Sequence, residues 1–502
     1  MIRARAPRGE VRRPATLAGT DGVASYLKDA ARTPGGHTPA VLLPTSEGEV
    51  AWAIREAPAL LVVGAQSSLT GGATPLGEWL LSSARLDRLD AAADARVRAE
   101  AGVSLRTLNQ KLAAGGSFFP PTPTYDGAFV GGVAATNAAG AATFKYGTTR
   151  DWVQALTVVL ANGDVLDVER GACIASGGSF TVELVVGGRR QVPAPRYRPP
   201  SVPKCSAGYH AAPALDLVDL FVGSEGTLGV VTEATLRVAA RRPRMLVWLP
   251  LPSEERALQM CAWLRSADAG LALVSIESLD RRSLELLRED GADRAQGVSW
   301  PAATESVLLF AIEVEADGED RASETLSRTL GDAGDGLLVA TSGDTRRATA
   351  LEALREAVPH AVNRRIEEAQ RKDPRIHKVA GDPIVPFERL AEAIALYRRE
   401  LSIRGLDHAI WGHVSDGNLH PNAIPRSYAD VVAAQEAIQA IGEAVIAMGG
   451  SPMSEHGVGR NPVKQALLSK LYGAAGIAEM RAVKTALDPE WRLAPGVLFA
   501  RA

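Results

Sequence analysis

The chain has 502 residues, more than one hydrophobic core usually accommodates, so we expect at least two domains. Hydrophobic residues make up 46% of it, charged residues 23% and aromatic residues 5%, and its formal net charge is −3. Proteins that bind nucleic acid need concentrated Lys and Arg, and those that bind single strands need aromatic surface for stacking. The composition therefore argues against a nucleic-acid partner and favours a small substrate.

The three cysteines are too few and too scattered for an iron–sulfur ligand set or a disulfide framework. The basic N-terminus is followed by no apolar signal core, and the sequence contains no uncharged apolar run of 18 residues, so no transmembrane segment is predicted. We therefore expect a cytoplasmic protein, with attachment to a membrane surface left open.

The predicted elements indicate an α+β protein. Residues 1–37 form an irregular lead-in with one short helix at 23–31, and residues 38–241 alternate short apolar strands with glycine clusters. Asn162-Gly163 predicts a hairpin. A basic, proline-broken stretch at about 241 marks a boundary. Beyond it, in 242–502, strands are predicted at 245–249, 274–277 and 307–314, and helices at 281–289, 320–330, 345–357, 387–403, 430–448 and 462–472.

Several glycine-rich segments in 38–241 favour a ligand held against the backbone. The first, at 64–72, follows an apolar strand, and its small and hydroxylated residues allow backbone amides to approach a phosphate. It matches neither the Walker P-loop nor the dinucleotide fingerprint, and alone it would more often be a surface turn. The others, at 130–140, 145–151 and 220–229, also have few large side chains, which leaves room for an extended ligand.

Segment 409–420 predicts a β-hairpin with a two-residue turn at Asp416-Gly417. This register sets His413 directly opposite His420, with β-carbons roughly 4.5–5.5 Å apart, which suits two ligands on one metal. Downstream, Glu455 offers a carboxylate as a third ligand. Three protein ligands leave coordination positions free, so we predict an open, catalytic metal site.

His456 would be free to act as a base, because neighbouring side chains diverge on extended backbone. A hydroxyl on a divalent cation becomes more acidic, and an imidazole with an ordinary pKa of about 6.5 can accept its proton. The alternative for His456 is a hydrogen-bonded turn residue. Asn418 either binds the substrate hydroxyl or carboxylate or is explained by turn preference alone. His408 has no motif around it, and a structural role is expected.

Together these motifs resemble the flavin-binding oxidoreductases of the vanillyl-alcohol oxidase type, and within them the group of D-2-hydroxyacid dehydrogenase, D-lactate dehydrogenase and the glycolate oxidase flavoprotein subunit. The resemblance runs from about residue 38 to residue 498. It implies a two-subdomain PCMH-type FAD-binding domain over 38–241. A substrate or cap domain would follow over 242–502, with an antiparallel sheet covered by helices and a helical C-terminus. No histidine occurs at 64–72, so we expect non-covalent FAD.

The resemblance also implies roles for single residues. A divalent metal, zinc or manganese, would be held by His413, His420 and Glu455, with His456 as the base. Arg355 and Lys378 would anchor the substrate carboxylate, although for each alone a solvated charge is an equal alternative. FAD would be bound by Gly64, Ala65, Gln66, Ser67, Ser68, Leu69, Thr70, Pro121, Gly131, Gly132, Ala135, Thr136, Asn137, Gly140, Tyr146, Gly147, Glu225, Gly229 and Val230.

The implied function is FAD-dependent oxidation of a D-2-hydroxyacid to the 2-oxoacid, with hydride passing to the flavin. Two alternatives stay open: a flavoprotein of the ether-lipid synthase or aryl-alcohol oxidase type, and a catalytically silent flavin-binding subunit. The expected partners are a small hydroxyacid and an external electron acceptor (a quinone, cytochrome, electron-transfer flavoprotein or oxygen), and a homo-oligomer is left open. Pro359 stands where close relatives carry a hydroxyl, so the acid itself is not specified. The insertion at 173–209 either reshapes access to the flavin, binds an acceptor or is an inert surface loop.

Overall fold

The structure, a computed structural model, describes residues 1–266, 269–315, 318–330 and 336–500. Up to residue 241 the strands are β1 (Ile2–Arg3), β2 (Ala15–Leu17), β3 (Val41–Leu43), β4 (Leu60–Val63), β5 (Trp79–Ser82), β6 (Arg96–Glu100), β7 (Ser117–Phe118), β8 (Val153–Val159), β9 (Val165–Glu169), β10 (Ser179–Glu183), β11 (Arg189–Pro193), β12 (Val230–Arg237) and β13 (Ala239–Ala240). The helices are α1 (Thr20–Val23), α2 (Glu47–Glu56), α3 (Leu105–Ala113), α4 (Val130–Thr136), α5 (Thr143–Tyr146), α6 (Thr149–Trp152) and α7 (Leu217–Phe221).

Two four-stranded sheets organise this first part. One has the order β2-β3-β5-β4 and contains two parallel pairs, and the other has the order β6-β12-β8-β9 and is antiparallel throughout. Smaller sheets, β1-β10-β11 and β13-β7, flank them. The predicted hairpin at Asn162-Gly163 is confirmed, because β8 and β9 pair on either side of it.

The remaining elements form a larger layer. Its strands are β14 (Arg244–Leu251), β15 (Ala272–Asp280), β16 (Ser306–Glu313), β17 (Leu338–Ala340), β18 (Val379–Ala380), β19 (His408–His413) and β20 (Asn418–Ala423). They build one antiparallel sheet in the order β17-β14-β16-β15-β19-β20-β18. The helices are α8 (Glu254–Arg265), α9 (Arg281–Glu289), α10 (Ala292–Gln296), α11 (Glu319–Leu330), α12 (Thr345–Lys372), α13 (Leu390–Ser402), α14 (Tyr428–Ala447) and α15 (Pro462–Leu487). The expected α+β class, with helices beside an antiparallel sheet, is confirmed.

Three predicted helices have different limits. The lead-in helix lies earlier, in α1 and the 3-10 turn that follows it, because the amides of Ala30 and Ala31 donate to the carbonyls of Gln66 and Ser68 instead of closing a helix. Helix α12 continues past Pro359, and α15 continues to Leu487 across a kink at Gly473. The lead-in is therefore bonded to the first glycine-rich loop.

The chain contributes first to one large hydrophobic core, then to a second, and near its C-terminus to the first again. One core gathers side chains from the sheets before residue 241, and the other gathers the seven-stranded sheet and its helices. After α14 the chain re-enters the first core through Met453, Val458, Leu468, Met480 and Leu498. The predicted domain limits stay a prediction, and they do not include this return. In the described parts of the chain, no helix has both the length and the apolar character needed to cross a bilayer.

Candidate active site

A cavity of about 600 Å³ is lined by residues of both halves of the chain. One wall consists of the loop after β4, helix α4 and the residues that lead into β12. The opposite wall consists of α12, the β19–β20 hairpin and the loop from residue 455 to 461. The first wall contains most of the predicted cofactor residues, namely Gly64, Ala65, Gln66, Ser67, Ser68, Leu69, Thr70, Gly131, Gly132, Ala135, Thr136, Glu225, Gly229 and Val230.

The two walls meet where Gly459 crosses the first glycine-rich loop. Gly459 has φ +57°, and a β-carbon there would lie 2.1 Å from Thr70 Oγ1, so only glycine fits. The amide of Arg460 donates to the Thr70 carbonyl (3.0 Å). Glu225 reaches across from the first wall and accepts the amides of Val458 and Gly459, both at 2.8 Å. The loop that follows His456 is therefore fixed to the predicted cofactor site.

Five predicted cofactor residues do not line this cavity. Asn137 has a left-handed backbone that ends α4, and its Oδ1 accepts the Arg150 amide (2.9 Å). Tyr146 donates its hydroxyl to Glu313 of the seven-stranded sheet. The others are packed nearby: Pro121, Gly140 against the Thr122 carbonyl, and Gly147 against Asp151. In the structure these residues therefore pack against other parts of the protein and not against the cavity.

The predicted register of the metal-site hairpin is wrong by two residues. His413 pairs with Asn418, and His420 pairs with Trp411, because the turn has four residues, Val414–Gly417, instead of two. Its 3-10 geometry is held by Ser415, whose Oγ accepts the Ile276 amide (3.2 Å). A shift of two residues keeps both side chains on the same face of the hairpin. The imidazole centroids are accordingly 5.4 Å apart.

His413, His420 and Glu455 converge in a buried cluster. Their ligand atoms lie within 4.8 Å of one another, with His413 Nε2 3.2 Å and His420 Nε2 3.9 Å from the Glu455 carboxylate. Burial lowers the pKa of His413, but Glu277 and Glu455 outweigh it and raise the pKa to about 9. Carboxylates that draw a proton onto an imidazole also attract a metal cation. The donor set of two imidazoles and one carboxylate fits the zinc or manganese of the prediction.

Two carboxylates that the sequence did not indicate support this cluster. Glu277 on β15 accepts a hydrogen bond from His413 Nδ1, which leaves Nε2 facing Glu455. Asp382 follows β18, and its Oδ2 accepts the amides of Ser454, Glu455 and His456 at 2.8–3.1 Å. Among the residues that the structure describes, the buried Nδ1 of His420 has no hydrogen-bond partner, and it lies 3.6 Å from Asp382. His413 and the loop that carries Glu455 are thus each held by a carboxylate from a distant part of the chain.

His456 is separate from the three predicted ligands. Its ring stacks on His420 with centroids 5.3 Å apart, and its Nδ1 lies 3.6 Å from Asp382 Oδ2. Burial lowers the pKa of His456 below its usual value, although Asp382 opposes the shift. The ring is half-buried at the cavity wall, and its lowered pKa favours the neutral imidazole, the state that can accept a proton.

The two predicted substrate anchors, Arg355 and Lys378, line the cavity, whereas Asn418, a predicted substrate contact, does not. Arg355 donates to Glu277 and to Thr124, both at 2.9 Å. Lys378 Nζ donates to Asn363 (3.2 Å), and burial, followed by repulsion from Arg32, lowers its pKa to about 8. Asn418 is buried outside the cavity lining, where its Nδ2 donates to the Pro383 carbonyl (2.8 Å).

Asn422, which the sequence did not indicate, supplies the amide at the cavity wall instead. Its Nδ2 donates to the His420 carbonyl (2.8 Å). The predicted turn placed Asn418 at the hairpin tip, and no signal in the sequence separated the two asparagines.

Comparison with known proteins assigns both halves of the chain to described families. Residues 241–498 match "FAD linked oxidases, C-terminal domain", and residues 38–169 match "FAD binding domain". A D-2-hydroxyglutarate dehydrogenase of Xanthomonas citri pv. viticola is 31% identical over 473 residues, covering 92% of this chain and 89% of that protein. A D-lactate dehydrogenase of Archaeoglobus fulgidus is 29% identical over 445 residues, covering 86% and 84%.

Solved structures agree on the fold. The 4-ethylphenol oxidase of Gulosibacter chungangensis superposes with a TM-score of 0.68 at 17% identity, over 96% of this chain and 94% of that one. p-Cresol methylhydroxylase superposes with a TM-score of 0.69 at 14% identity, over 97% and 94%. At these identities the likeness concerns the fold alone.

Proposed function

The chain belongs to the FAD-linked oxidases, and on that premise we propose that it oxidises a D-2-hydroxyacid to the 2-oxoacid with non-covalent FAD and a divalent metal, zinc or manganese. One observation carries the proposal. The cluster of His413, His420 and Glu455, with His456 beside it, opens into the same cavity as the glycine-rich loops of the FAD-binding half. A catalytically silent subunit would have no need for this cluster.

The side chains have complementary tasks in this reaction. When bound, the flavin supplies a hydride acceptor and the metal a Lewis acid. His413, His420 and Glu455 would hold the cation, while Arg355 and Lys378 would attract the substrate carboxylate. His456 accepts the hydroxyl proton as the hydrogen on the same carbon leaves as hydride, so that the carbon–oxygen double bond forms. Asp382, next to His456, stabilises the imidazolium that results.

Anaerobic mixing of the flavin-loaded enzyme with short hydroxyacids tests the proposal. D-lactate, glycolate and D-2-hydroxyglutarate are compared, because relatives with these names match the chain, and L-lactate serves as the stereochemical control. Bleaching of the flavin by at least one D-hydroxyacid or glycolate is expected. If none of them bleaches the flavin, a silent flavin-binding subunit is the better description.

Metal analysis separates the proposal from an ether-lipid synthase or an aryl-alcohol oxidase. We expect one zinc or manganese ion per chain, and we expect His413→Ala to lose both the metal and flavin reduction by the hydroxyacid. The matched control is His408→Ala, since His408 lies at the start of the same strand and its imidazole bonds the Leu406 carbonyl (2.9 Å), away from the cluster. An enzyme that oxidises a phenol such as 4-ethylphenol without metal would overturn the assignment.

The proposal also includes the electron acceptor and the location of the enzyme. Cys173, Cys205 and Cys261 are free thiols in separate places, so they offer no iron–sulfur relay. Electrons therefore leave to an external quinone, cytochrome, electron-transfer flavoprotein or oxygen, and we place the enzyme in the cytoplasm. Reoxidation of the reduced flavin by each acceptor in turn identifies the partner as the one that restores the oxidised spectrum fastest.

A further inference from the structure

The end of the segment 173–209 lies against the metal-site loop. The amide of Ser206 donates to the Met453 carbonyl (3.1 Å), and the Ser206 hydroxyl donates to the Ser454 carbonyl (3.0 Å). These bonds place Lys204 beside Glu455. The end of this segment is therefore part of the site's support and not a surface loop.

Lys204 is a buried cation between two carboxylates. Its side chain has no exposed surface, and its ammonium lies 3.0 Å from Asp416 Oδ2 and donates to Glu455 Oε1. Asp416 belongs to the turn of the β19–β20 hairpin, so one ammonium joins that turn to the predicted third metal ligand. Burying an ammonium is costly unless its partners are well placed. The local pairing accounts for a lysine at this depth.

The contact makes the two oxygens of Glu455 unequal. Oε1 accepts from Lys204 and lies 3.2 Å from His413 Nε2, whereas Oε2 lies 3.9 Å from His420 Nε2. A dication is repelled by the ammonium, and the repulsion is strongest at Oε1, the oxygen nearest to it. Chelation through both oxygens is therefore disfavoured as long as Lys204 is present.

We propose that Lys204 is a positioning residue that restricts Glu455 to one ligand oxygen and so keeps a coordination position open for the substrate. The inference rests on the metal of the proposed function. It gives the segment 173–209 a task in the chemistry of the site, through a side chain that lies behind the cavity lining.

Cobalt(II) is the probe, because its visible bands beyond the flavin absorption report its coordination number. The flavin-loaded enzyme is stripped with a chelator, reloaded with Co²⁺ and titrated with oxalate, an oxygen ligand that cannot be oxidised by hydride loss. In Lys204→Met we expect Co²⁺ to bind at least as tightly as in the wild type, since a repelling charge is gone. Its bands should weaken, as they do at higher coordination number, and oxalate affinity should fall at least about tenfold.

Two further variants protect the test against simple misfolding. Lys204→Met leaves Asp416 buried without its cation, so Lys204→Met/Asp416→Asn removes both charges and should give the same spectrum with a more stable fold. The matched control is Lys484→Met/Asp488→Asn, which removes an equally buried pair at 2.6 Å between the last turn of α15 and the residue that follows the helix. This control should keep the wild-type Co²⁺ bands and oxalate affinity.

The outcomes are distinguishable. Unchanged bands and oxalate affinity in both Lys204 variants, or loss of Co²⁺ from a folded variant, would overturn the role of Lys204 and leave the proposed function standing. A wild-type enzyme that binds no Co²⁺ at all would overturn this inference together with the metal of the proposed function.

Discussion

The two ends of the cavity are built in opposite ways. At the end with the predicted cofactor site, mostly small residues such as those at 64–70 line the wall, and backbone and volume determine what fits. At the metal end, charged side chains arrive from strands, turns and loops far apart in the chain, and each is satisfied by another: Glu277 by His413 and Arg355, and Glu455 by Lys204. One end is therefore sensitive to an added methyl group and the other to a removed charge.

The largest effect is expected from His456→Asn, which removes the proposed base and leaves the three predicted metal ligands in place. Flavin reduction by the hydroxyacid should slow by about 10²- to 10⁴-fold, the usual worth of a general base, while flavin and metal content stay at wild-type levels. Stopped-flow reduction with metal analysis measures this, with His408→Asn as the control. A variant that reduces its flavin at the wild-type rate would remove His456 from the mechanism.

Glu277→Gln tests whether the metal end depends on partners from distant strands. Without the negative charge, His413 Nδ1 keeps only a neutral amide acceptor and Arg355 loses its ion pair, so the metal dissociation constant should rise about 10- to 100-fold. Glu313→Gln is a matched control, since Glu313 is equally buried on the neighbouring strand but pairs with Lys145 outside the site. Competition with a metallochromic chelator gives the constants. Equal losses in the two variants would point to general destabilisation instead.

The sequence reveals the two ends unequally. The glycine-rich loops and the rare histidines stand in short motifs, so Thr70, His413 and His456 could be found from local pattern alone. Glu277 could not, because its partner His413 is 136 positions away and nothing around it differs from an ordinary strand residue. The hairpin register also failed, since a four-residue 3-10 turn and a two-residue turn share the same Asp416-Gly417 signal.

Lys378, a predicted substrate anchor, should make kcat/KM depend on pH. Its pKa is lowered to about 8, so its ammonium loses its charge as pH rises through this value, and the proposed attraction of the substrate carboxylate is lost with it. We expect kcat/KM to fall about tenfold per pH unit above pH 8, because this ratio reports groups of the free enzyme. Lys378→Met should have a lower kcat/KM without this alkaline limb. A limb that persists in the variant would belong to another group.

The smallest effects are expected at the cofactor end, from two adjacent glycines of α4, Gly131 and Gly132. Substituting each of them distinguishes a loss of fold stability from a loss of flavin binding. A β-carbon on Gly131 would lie 2.6 Å from that of Ala101, so Gly131→Ala should lose about 1–3 kcal/mol by overpacking, partly offset by better helix propensity. A β-carbon on Gly132 meets nothing within 4 Å and would extend the side of the helix that lines the cavity.

Gly132→Ala should therefore melt at or above the wild-type temperature without flavin, with a gain of up to about 1 kcal/mol from helix propensity, yet bind flavin more weakly. Thermal melts of the flavin-free proteins and flavin titrations distinguish the two variants. If Gly132→Ala binds flavin as the wild type does, the cofactor does not approach this turn of α4. Side-chain volume would then not limit flavin binding at this end of the cavity. The difference from the metal end, where charge is expected to matter, would not hold at α4.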